Sequence, residues 1–303
     1  MSGNLLEIKK KIGGVKNTRK ITKAMQLVAA SKMQRFQTRA VSARSFVWDL
    51  LNVLDRNLGA QSTSTYGEVR AEGKTLFVLY TSDKGLCGPL NTKLINSLFR
   101  SDKWKNTPED ERMLITIGKK AHDYAKSNKI DVVEHFSGVP EKLAALDAIQ
   151  IIDRILSYWM SEEAKEVIFI APHYKNSFTF YPVMKTFLPF TEDTVESVLG
   201  HLPEEERPEF VRDDNQFMIF APDEDTVLDR LYEQIIQAMF IQTFLELKAS
   251  EYSSRMIAMQ NATDAADRMI KDLTRVFNQI RQSKITQEIA ELMGASMALE
   301  DED

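Results

Sequence analysis

The sequence contains few residues of the kinds that break helices or cross-link chains. It has twelve glycines, nine prolines and a single cysteine, Cys87, among 303 residues. One cysteine excludes an intramolecular disulfide and indicates a reducing compartment. Long uninterrupted apolar runs are also missing, including from the start, MSGNLLEIKKK. The pattern therefore predicts neither a signal peptide nor a membrane-spanning helix, and we expect membrane association only through partners.

Charge and histidine spacing argue against two further classes of protein. A formal net charge of −5 is weak support for a nucleic-acid binder, and no reader motif is present, so we expect no nucleic-acid partner. The histidines, His122, His135, His173 and His201, are far apart without ligand-type spacing. We therefore expect no metal site.

The two ends of the chain are long runs without internal glycine or proline, at 15–58 and 223–293. As helices they would span roughly 65 and 105 Å. Small and apolar residues recur alternately four and three apart in both runs, from Ile8 to Leu54 and from Leu231 to Gln287, with polar gaps. This heptad spacing predicts a coiled coil in which the C-terminal helix folds back antiparallel to the N-terminal one. The alternative is two separate amphipathic helices on a globular core.

The N-terminal run is basic. Residues 1–58 carry Lys9, Lys10, Lys11, Lys16, Arg19, Lys20, Lys23, Lys32, Arg35, Arg39, Arg44 and Arg56 against Glu7, Asp49 and Asp55. Such a helix suits nucleic acid, an anionic membrane or an acidic protein surface, unless it is simply a solvated face.

Between the ends, short apolar segments alternate with helical ones. The segment at 59–73 is rich in Gly, Ser and Thr and is predicted to be a linker. Strands are expected at 75–82, 113–118, 131–136 and 167–172, helices near 89–100, 119–127 and 141–160, an extra strand or hairpin at 178–190, and a mobile loop at 192–215. The alternation predicts a small, mostly parallel sheet packed with helices. The expected fold class is α/β, with helical domains at 1–58 and 223–295 and a central domain at 75–200.

The segment SDKGLCGPLN at 82–91 lies where an α/β fold can place a phosphate loop. It lacks the lysine–serine ending of a P-loop and is not a GxGxxG fingerprint, so a strand-to-helix turn is the better interpretation. Ser82 and Cys87 have no base nearby in sequence, and Cys87 fits a small buried side chain better than a nucleophile.

Three motifs together resemble the gamma subunit of bacterial-type F-type ATP synthases. They are ITKAMQLVAASKMQRFQ at 21–37, SDKGLCGPLN at 82–91, and the segment at 250–292, which begins SEYSSRMIAMQ and contains FNQIRQSKITQE. They occur in the family's order and cover nearly the whole chain. The departures are Gly13-Gly14, which predicts a bend or frayed start in the first helix, Pro89 in place of a glycine, and FMIFAP with Ala221 at a position that is often acidic.

The resemblance implies a central-stalk rotor with no active site of its own, no metal and no cofactor. The paired end helices would form a shaft inside a ring of three alpha and three beta subunits. The α/β domain would lie near the epsilon subunit and the membrane c-ring, whose proton-driven rotation turns the shaft. We expect a peripheral position at the cytoplasmic face of a bacterial cell membrane.

By motif, the resemblance implies beta-subunit contacts at Met25, Arg255, Arg281, Gln282, Thr286 and Glu288. For Met25 the alternative is coiled-coil packing, and for Arg281 a solvated charge. Two other functions stay open from the residues themselves. An α/β enzyme with helical extensions would bind nucleotide as an isolated chain, and a coiled-coil scaffold would be a homodimer in solution.

Overall fold

The computed structural model describes residues 2–57, 65–139, 145–191, 194, 221 and 223–300. Its contacts group into two compact units. The helix-pair unit comprises Met1–Ala29 and Met256–Asp303, and the α/β unit comprises Ala30–Arg255. Both long helices, α1 (Ser2–Asn57) and α6 (Glu224–Glu300), contribute to both units. The boundaries between units therefore lie inside the two helices.

Helix α1 begins at Ser2 and runs unbroken through Gly13 and Gly14, so the expected frayed start is wrong, while the bend stays a prediction. A Cβ atom at either glycine would meet nothing within 4 Å, apart from the helix's own nearby backbone. Glycine in a helix interior costs about 0.8–1.0 kcal/mol relative to alanine. The surrounding 56-residue helix absorbs this cost without losing its geometry.

A five-stranded sheet forms the centre of the α/β unit, in the order β3-β2-β1-β4-β5. The strands are β1 (Lys74–Tyr80), β2 (Arg112–Ile117), β3 (Glu134–Phe136), β4 (Ala164–Asn176) and β5 (Thr179–Leu188). The first four are parallel, with Thr75 opposite Arg112 and Phe77 opposite Ile168, and β5 pairs antiparallel with β4. The predicted mostly parallel sheet with a terminal hairpin is confirmed.

Four helices connect the strands: α2 (Leu90–Phe99), α3 (Asp102–Asn106), α4 (Lys119–Ser127) and α5 (Ala145–Met160). Sequence reasoning missed α3, whose five residues are too few for a helical period. Its N-cap Ser101 accepts a hydrogen bond from the backbone N–H of Trp104, which satisfies one free donor of the first turn. Short 3-10 helices lie at Thr65–Gly67 and Glu109–Glu111.

Both faces of the sheet are covered, which is why β1 is apolar along almost its whole length. Phe77 packs edge-on against Trp104 of α3, whereas Tyr80, on the opposite face, stacks on Phe240 of α6. Tyr80 is three positions after Phe77, an odd number, so the two side chains point to opposite sides of the strand. The core of the α/β unit thus includes α6.

The predicted linker at 59–73 is wrong for its second half. The guanidinium of Arg70 lies 4.0 Å from the ring centroid of Trp159 on α5, and Phe190 N donates to Tyr66 O at 2.8 Å. The segment therefore packs on the α/β unit. The predicted mobile loop at 192–215 lies outside the described residues apart from Thr194.

Candidate functional site

In the helix-pair unit, α1 and α6 meet through a ladder of polar pairs. Arg19 Nε lies 2.5 Å from Asp267 Oδ1, Thr22 Oγ1 lies 2.8 Å from Thr263 Oγ1, and Gln26 Nε2 donates to Gln260 Oε1. Ascending numbers on α1 meet descending numbers on α6, so the helices are antiparallel. The predicted coiled coil of the two terminal helices is confirmed.

Two charged residues extend the glutamine layer into a continuous chain of hydrogen bonds. Lys23 Nζ donates to Gln26 Oε1 at 3.2 Å, and Gln260 Nε2 donates to Asp264 Oδ1 at 2.9 Å. Every donor in the chain points from the lysine towards the aspartate. This common direction fixes the orientation of both amides and lets each bond polarise the next.

Apolar contact between the helices is thin in this unit. Among its described residues, the buried apolar side chains are few, and half of them are alanines: Ile8, Ala29, Met259 and Ala266. Small residues let helices approach closely but bury little area each. The polar ladder therefore carries an unusual share of the specificity of this pairing.

No helix among the described residues lies opposite the last turns of α6. By the spacing of the ladder, Ser2 at the start of α1 lies opposite the region of Lys284. From 281 to 293 every side chain is exposed except the half-buried Lys284, and Ile289 and Leu292 are among the exposed ones. Helix α6 thus presents an open surface of mixed polarity.

Four of the expected contact residues share this open surface. Arg281, Gln282, Thr286 and Glu288 are all exposed. The hydroxyl of Thr286 donates to the backbone oxygen of Gln282, four residues earlier, at 3.0 Å. Their side chains are therefore accessible to another molecule. Met25 lies on α1 and is half-buried, which leaves both packing and contact open to it.

Arg255 belongs to the α/β unit and is directed into it. Its side chain is 9% exposed and donates to Glu251 Oε1 at 2.8 Å and to the backbone oxygens of Gly85 and Lys84 at 3.1 and 3.4 Å. Ser254 Oγ also donates to Cys87 O at 2.5 Å. Arg255 and its neighbour thus hold the 82–91 loop against α6.

The loop itself is closed by its own side chains. Asn91 Oδ1 accepts from Ser82 N at 3.1 Å, and Asn91 Nδ2 donates to Ser82 Oγ at 2.9 Å. Cys87 is buried. The segment is a strand-to-helix turn that leads into α2, and its contacts are to its own chain. This arrangement gives no support to a phosphate-binding loop.

Sequence spacing missed one histidine pair. The rings of His122 on α4 and His135 on β3 stack with centroids 4.0 Å apart, and His135 Nδ1 lies 3.0 Å from Thr116 Oγ1. Burial lowers the pKa of His135, and a charge on His122 lowers it further. Across the described residues, no three metal-ligating side chains of His, Cys, Asp or Glu come together.

Comparison with known proteins identifies the family of the whole chain. The ATP synthase family model matches residues 4–299. The ATP synthase gamma chain of Symbiobacterium thermophilum is 33% identical over 304 residues, covering 99% of this chain and 100% of the relative. The chain belongs to the ATP synthase gamma-chain family. The gamma chain of Geotalea uraniireducens is similar, at 32% identity over 98% of this chain and 99% of its own length.

Solved structures share the fold of this chain. A chain in the F1/c-ring structure of the Euglena gracilis mitochondrial ATP synthase superimposes with a TM-score of 0.70 at 19% identity, covering 99% of this chain and 95% of that one. As a member of the family, the chain is a non-catalytic subunit of ATP synthase. In the described portion, no helix combines the length and apolar character needed to cross a bilayer.

Proposed function

We propose that the chain is the central-stalk rotor of a proton-translocating F-type ATP synthase and couples rotation of a membrane c-ring to ATP synthesis. Its partners are three alpha and three beta subunits, an epsilon subunit and the c-ring. The main support for this function is the helix pair, in which the α6 surface is exposed from 281 to 293 except at Lys284. Structures named as ATP synthase rotor and central stalk share the fold.

The surface of α1 in the helix-pair unit supports a protein partner. Six lysines are exposed, and they are Lys9, Lys10, Lys11, Lys16, Lys20 and Lys23. Among them lie Ile21, Leu27 and Val28, which are 60%, 61% and 56% exposed. Exposed apolar groups rimmed by charges of one sign suit a partner with acidic and apolar character. We infer that the beta subunit presents such a surface to the shaft.

We assign the beta-subunit contacts to Met25, Arg281, Gln282, Thr286 and Glu288, with Arg255 acting indirectly. The first five have accessible side chains, whereas Arg255 is bonded to the 82–91 loop. Arg255 would support a contact by fixing that loop. The complex would lie at the cytoplasmic face of a bacterial membrane, attached to it through partners.

Co-expression of the tagged chain with alpha and beta subunits tests this function. We expect a native mass for three alpha, three beta and one copy of this chain. Loss of a charge-assisted hydrogen bond costs about 1.5–3 kcal/mol, so Arg281→Ala should lower ATPase activity by at least about tenfold. Gln282→Ala should lower it less, and Arg275→Ala, an exposed arginine earlier on α6, should leave it unchanged.

The outcomes separate the function from the contacts. If the complex forms and its ATPase activity is unchanged by Arg281→Ala and Gln282→Ala, the rotor function stands and these two residues are not beta-subunit contacts. A folded chain that forms no complex with matched subunits would contradict the rotor. Nucleotide binding by the isolated chain, or a dimeric mass, would then favour the enzyme or the scaffold.

A further inference from the structure

A single buried carboxylate joins both long helices to the sheet of the α/β unit. Glu246 of α6 has a side chain that is 2% exposed. Its Oε1 accepts from Arg44 Nη2 of α1 at 3.1 Å, and its Oε2 accepts from His173 Nδ1 and Tyr174 N of β4 at 3.2 and 3.3 Å. Gln242, one turn earlier on α6, donates to Oε1 at 3.0 Å. Both carboxylate oxygens are therefore fully occupied.

Arg44 closes the arrangement into a triangle. The same Nη2 that binds Glu246 also donates to the backbone oxygen of Tyr174 at 3.2 Å. Helix α1 is thus bonded to α6 and to β4, while α6 is bonded to β4. Two of these contacts use the main chain of β4, so they attach the helices to the strand itself.

The surroundings of Glu246 favour its ionised form. Burial acts to raise the pKa of Glu246, but the His173 hydrogen bond and the charges of Lys185, His173 and Arg44 outweigh it and lower this pKa to about 2. Lys185 of β5 faces the same cavity, which Thr243 and Phe169 also line. At any physiological pH the carboxylate remains ionised and keeps its bonds.

Other contacts between α6 and the sheet are mostly apolar. Phe240 stacks on Tyr80 and meets Phe169 edge-on, and Phe244 lies against Tyr80. Apolar burial resists separation of two surfaces but is non-directional. Hydrogen bonds depend on angle and distance, so they resist sliding and rotation of a helix on a sheet.

We propose that Glu246 is the positioning residue through which the sheet of the α/β unit turns both long helices together. This inference rests on the proposed rotor function, because a torque is passed along the shaft only if its helices are fixed to the part that is driven. Arg44 supplies the link to α1, and His173 with Tyr174 supplies the link to the sheet. Loss of the carboxylate would leave the helices packed on the sheet but free to shift.

The test compares Glu246→Gln with Glu233→Gln. Glu233 also lies on α6 in the α/β unit, but its side-chain partners, Arg230 at 2.7 Å and Gln237 at 3.4 Å, are on the same helix. The two substitutions remove the same charge from one helix, and only the first breaks hydrogen bonds between elements. Arg44→Met removes only the hydrogen bonds that join α1 to Glu246 and β4. It provides a second test if Glu246→Gln fails to fold.

Two measurements on the full chain and on the assembled enzyme decide the matter. Deuterium uptake around Arg44 on α1 and around Tyr174 on β4 should rise in Glu246→Gln but not in Glu233→Gln. In vesicles holding the whole ATP synthase, protons pumped per ATP hydrolysed should fall by at least about threefold in Glu246→Gln, with a smaller fall in Arg44→Met and none in Glu233→Gln.

Each result has one meaning. A pumping ratio at the wild-type value in Glu246→Gln, or an equal fall in Glu233→Gln, overturns the proposal. Unchanged deuterium uptake at both sites does so as well. A wild-type chain that does not assemble into ATP synthase would instead contradict the rotor function on which the inference rests.

Discussion

The two units contain the same two helices but stabilise them by different means. In the α/β unit, α6 is buried almost continuously from 235 to 255, with ionised residues such as Glu246, Lys248 and Glu251 inside. In the helix-pair unit, Arg19 and Asp267 form their ion pair at about half exposure. A buried charge is costly unless it is fully paired, whereas an exposed pair contributes little. The α/β unit is therefore sensitive to single substitutions, and the helix-pair unit is free to use its surface for binding.

Substitution of glycine should produce the largest difference between the units. At Gly118 of the α/β unit φ is +95°, and an added Cβ would lie 2.1 Å from the backbone oxygen of Thr81. No side-chain rotation relieves a clash with main chain, so Gly118→Ala should lower the free energy of unfolding by at least about 3 kcal/mol. All three tryptophans, Trp48, Trp104 and Trp159, lie in this unit, so their fluorescence during denaturant unfolding measures the effect.

Two other glycines serve as controls for that prediction. Gly138 also has a positive φ of +68°, but nothing lies within 4 Å of its added Cβ, so Gly138→Ala should cost only about 1–2 kcal/mol of backbone strain. Gly14 lies in the helix-pair unit with open space around it, and Gly14→Ala should stabilise α1 by up to about 1 kcal/mol. Because Gly14 lies outside the unit that holds the tryptophans, deuterium uptake around residue 14 of α1 measures Gly14→Ala. A loss of protection in Gly14→Ala, or equal losses of stability in Gly118→Ala and Gly138→Ala, would contradict the contrast between the units.

The histidine pair should give the α/β unit a moderate sensitivity to acid. Because the pKa of His135 is lower in the folded chain than its ordinary value of 6.5, the unfolded chain binds a proton first as the pH falls. Stability is then full above pH 6.5 and declines below it. Asp83 and Asp123 oppose the effect, while burial and His122 cause it. Glu246 adds no pH dependence in this range, because its ordinary value of 4.5 and its folded pKa of about 2 both lie below it.

The measurement is the change in unfolding midpoint between pH 7.5 and pH 5.5, followed by tryptophan fluorescence. His135→Gln removes the titrating group, and we expect a smaller change than in the wild-type chain. His122→Phe keeps the stacked ring but removes its charge, and it should give an intermediate change. A wild-type midpoint that is the same at both pH values would show that protonation of this pair is not linked to folding.

Sequence reasoning succeeded where one local pattern decides the structure. The apolar run at 75–82, followed by a helical pattern, predicted a buried strand, and the structure has β1 at Lys74–Tyr80. The helix predicted at 119–127 has the same bounds in the structure. The heptad seams likewise predicted two long paired helices, because the spacing of small and apolar residues persists over many turns.

Contacts that join distant parts of the chain were not predictable in the same way. The seams contained Thr22 and Thr263, but their spacing does not say which residues face each other across the pair. Arg70 was assigned to a linker because its partner, Trp159, is 89 residues away. Glu246 left a faint signal, a single carboxylate within the apolar run IQTFLEL, but its partners on α1 and β4 depend on the tertiary fold.

The threonine layer of the helix-pair unit should give the smallest effect on stability. Thr263 Oγ1 also lies 2.8 Å from Met259 O, and Thr22 Oγ1 lies 3.1 Å from Arg19 O. Each hydroxyl has one proton, so only one can donate across the interface at a time. Replacing both partners by apolar groups of the same shape is close to neutral. Thr22→Val with Thr263→Val should therefore change stability by less than about 1 kcal/mol.

Deuterium uptake at 16–29 and 258–270 measures this change, because tryptophan fluorescence reports only on the other unit. The single variant Thr22→Val should exchange faster than the double variant, since it leaves a hydroxyl on α6 facing a methyl group. If the double variant lost more protection than the single one, the hydroxyl pair would stabilise the interface as strongly as a buried charge pair. The helix-pair unit would then be as sensitive to substitution of its polar contacts as the α/β unit, which contradicts the contrast between them.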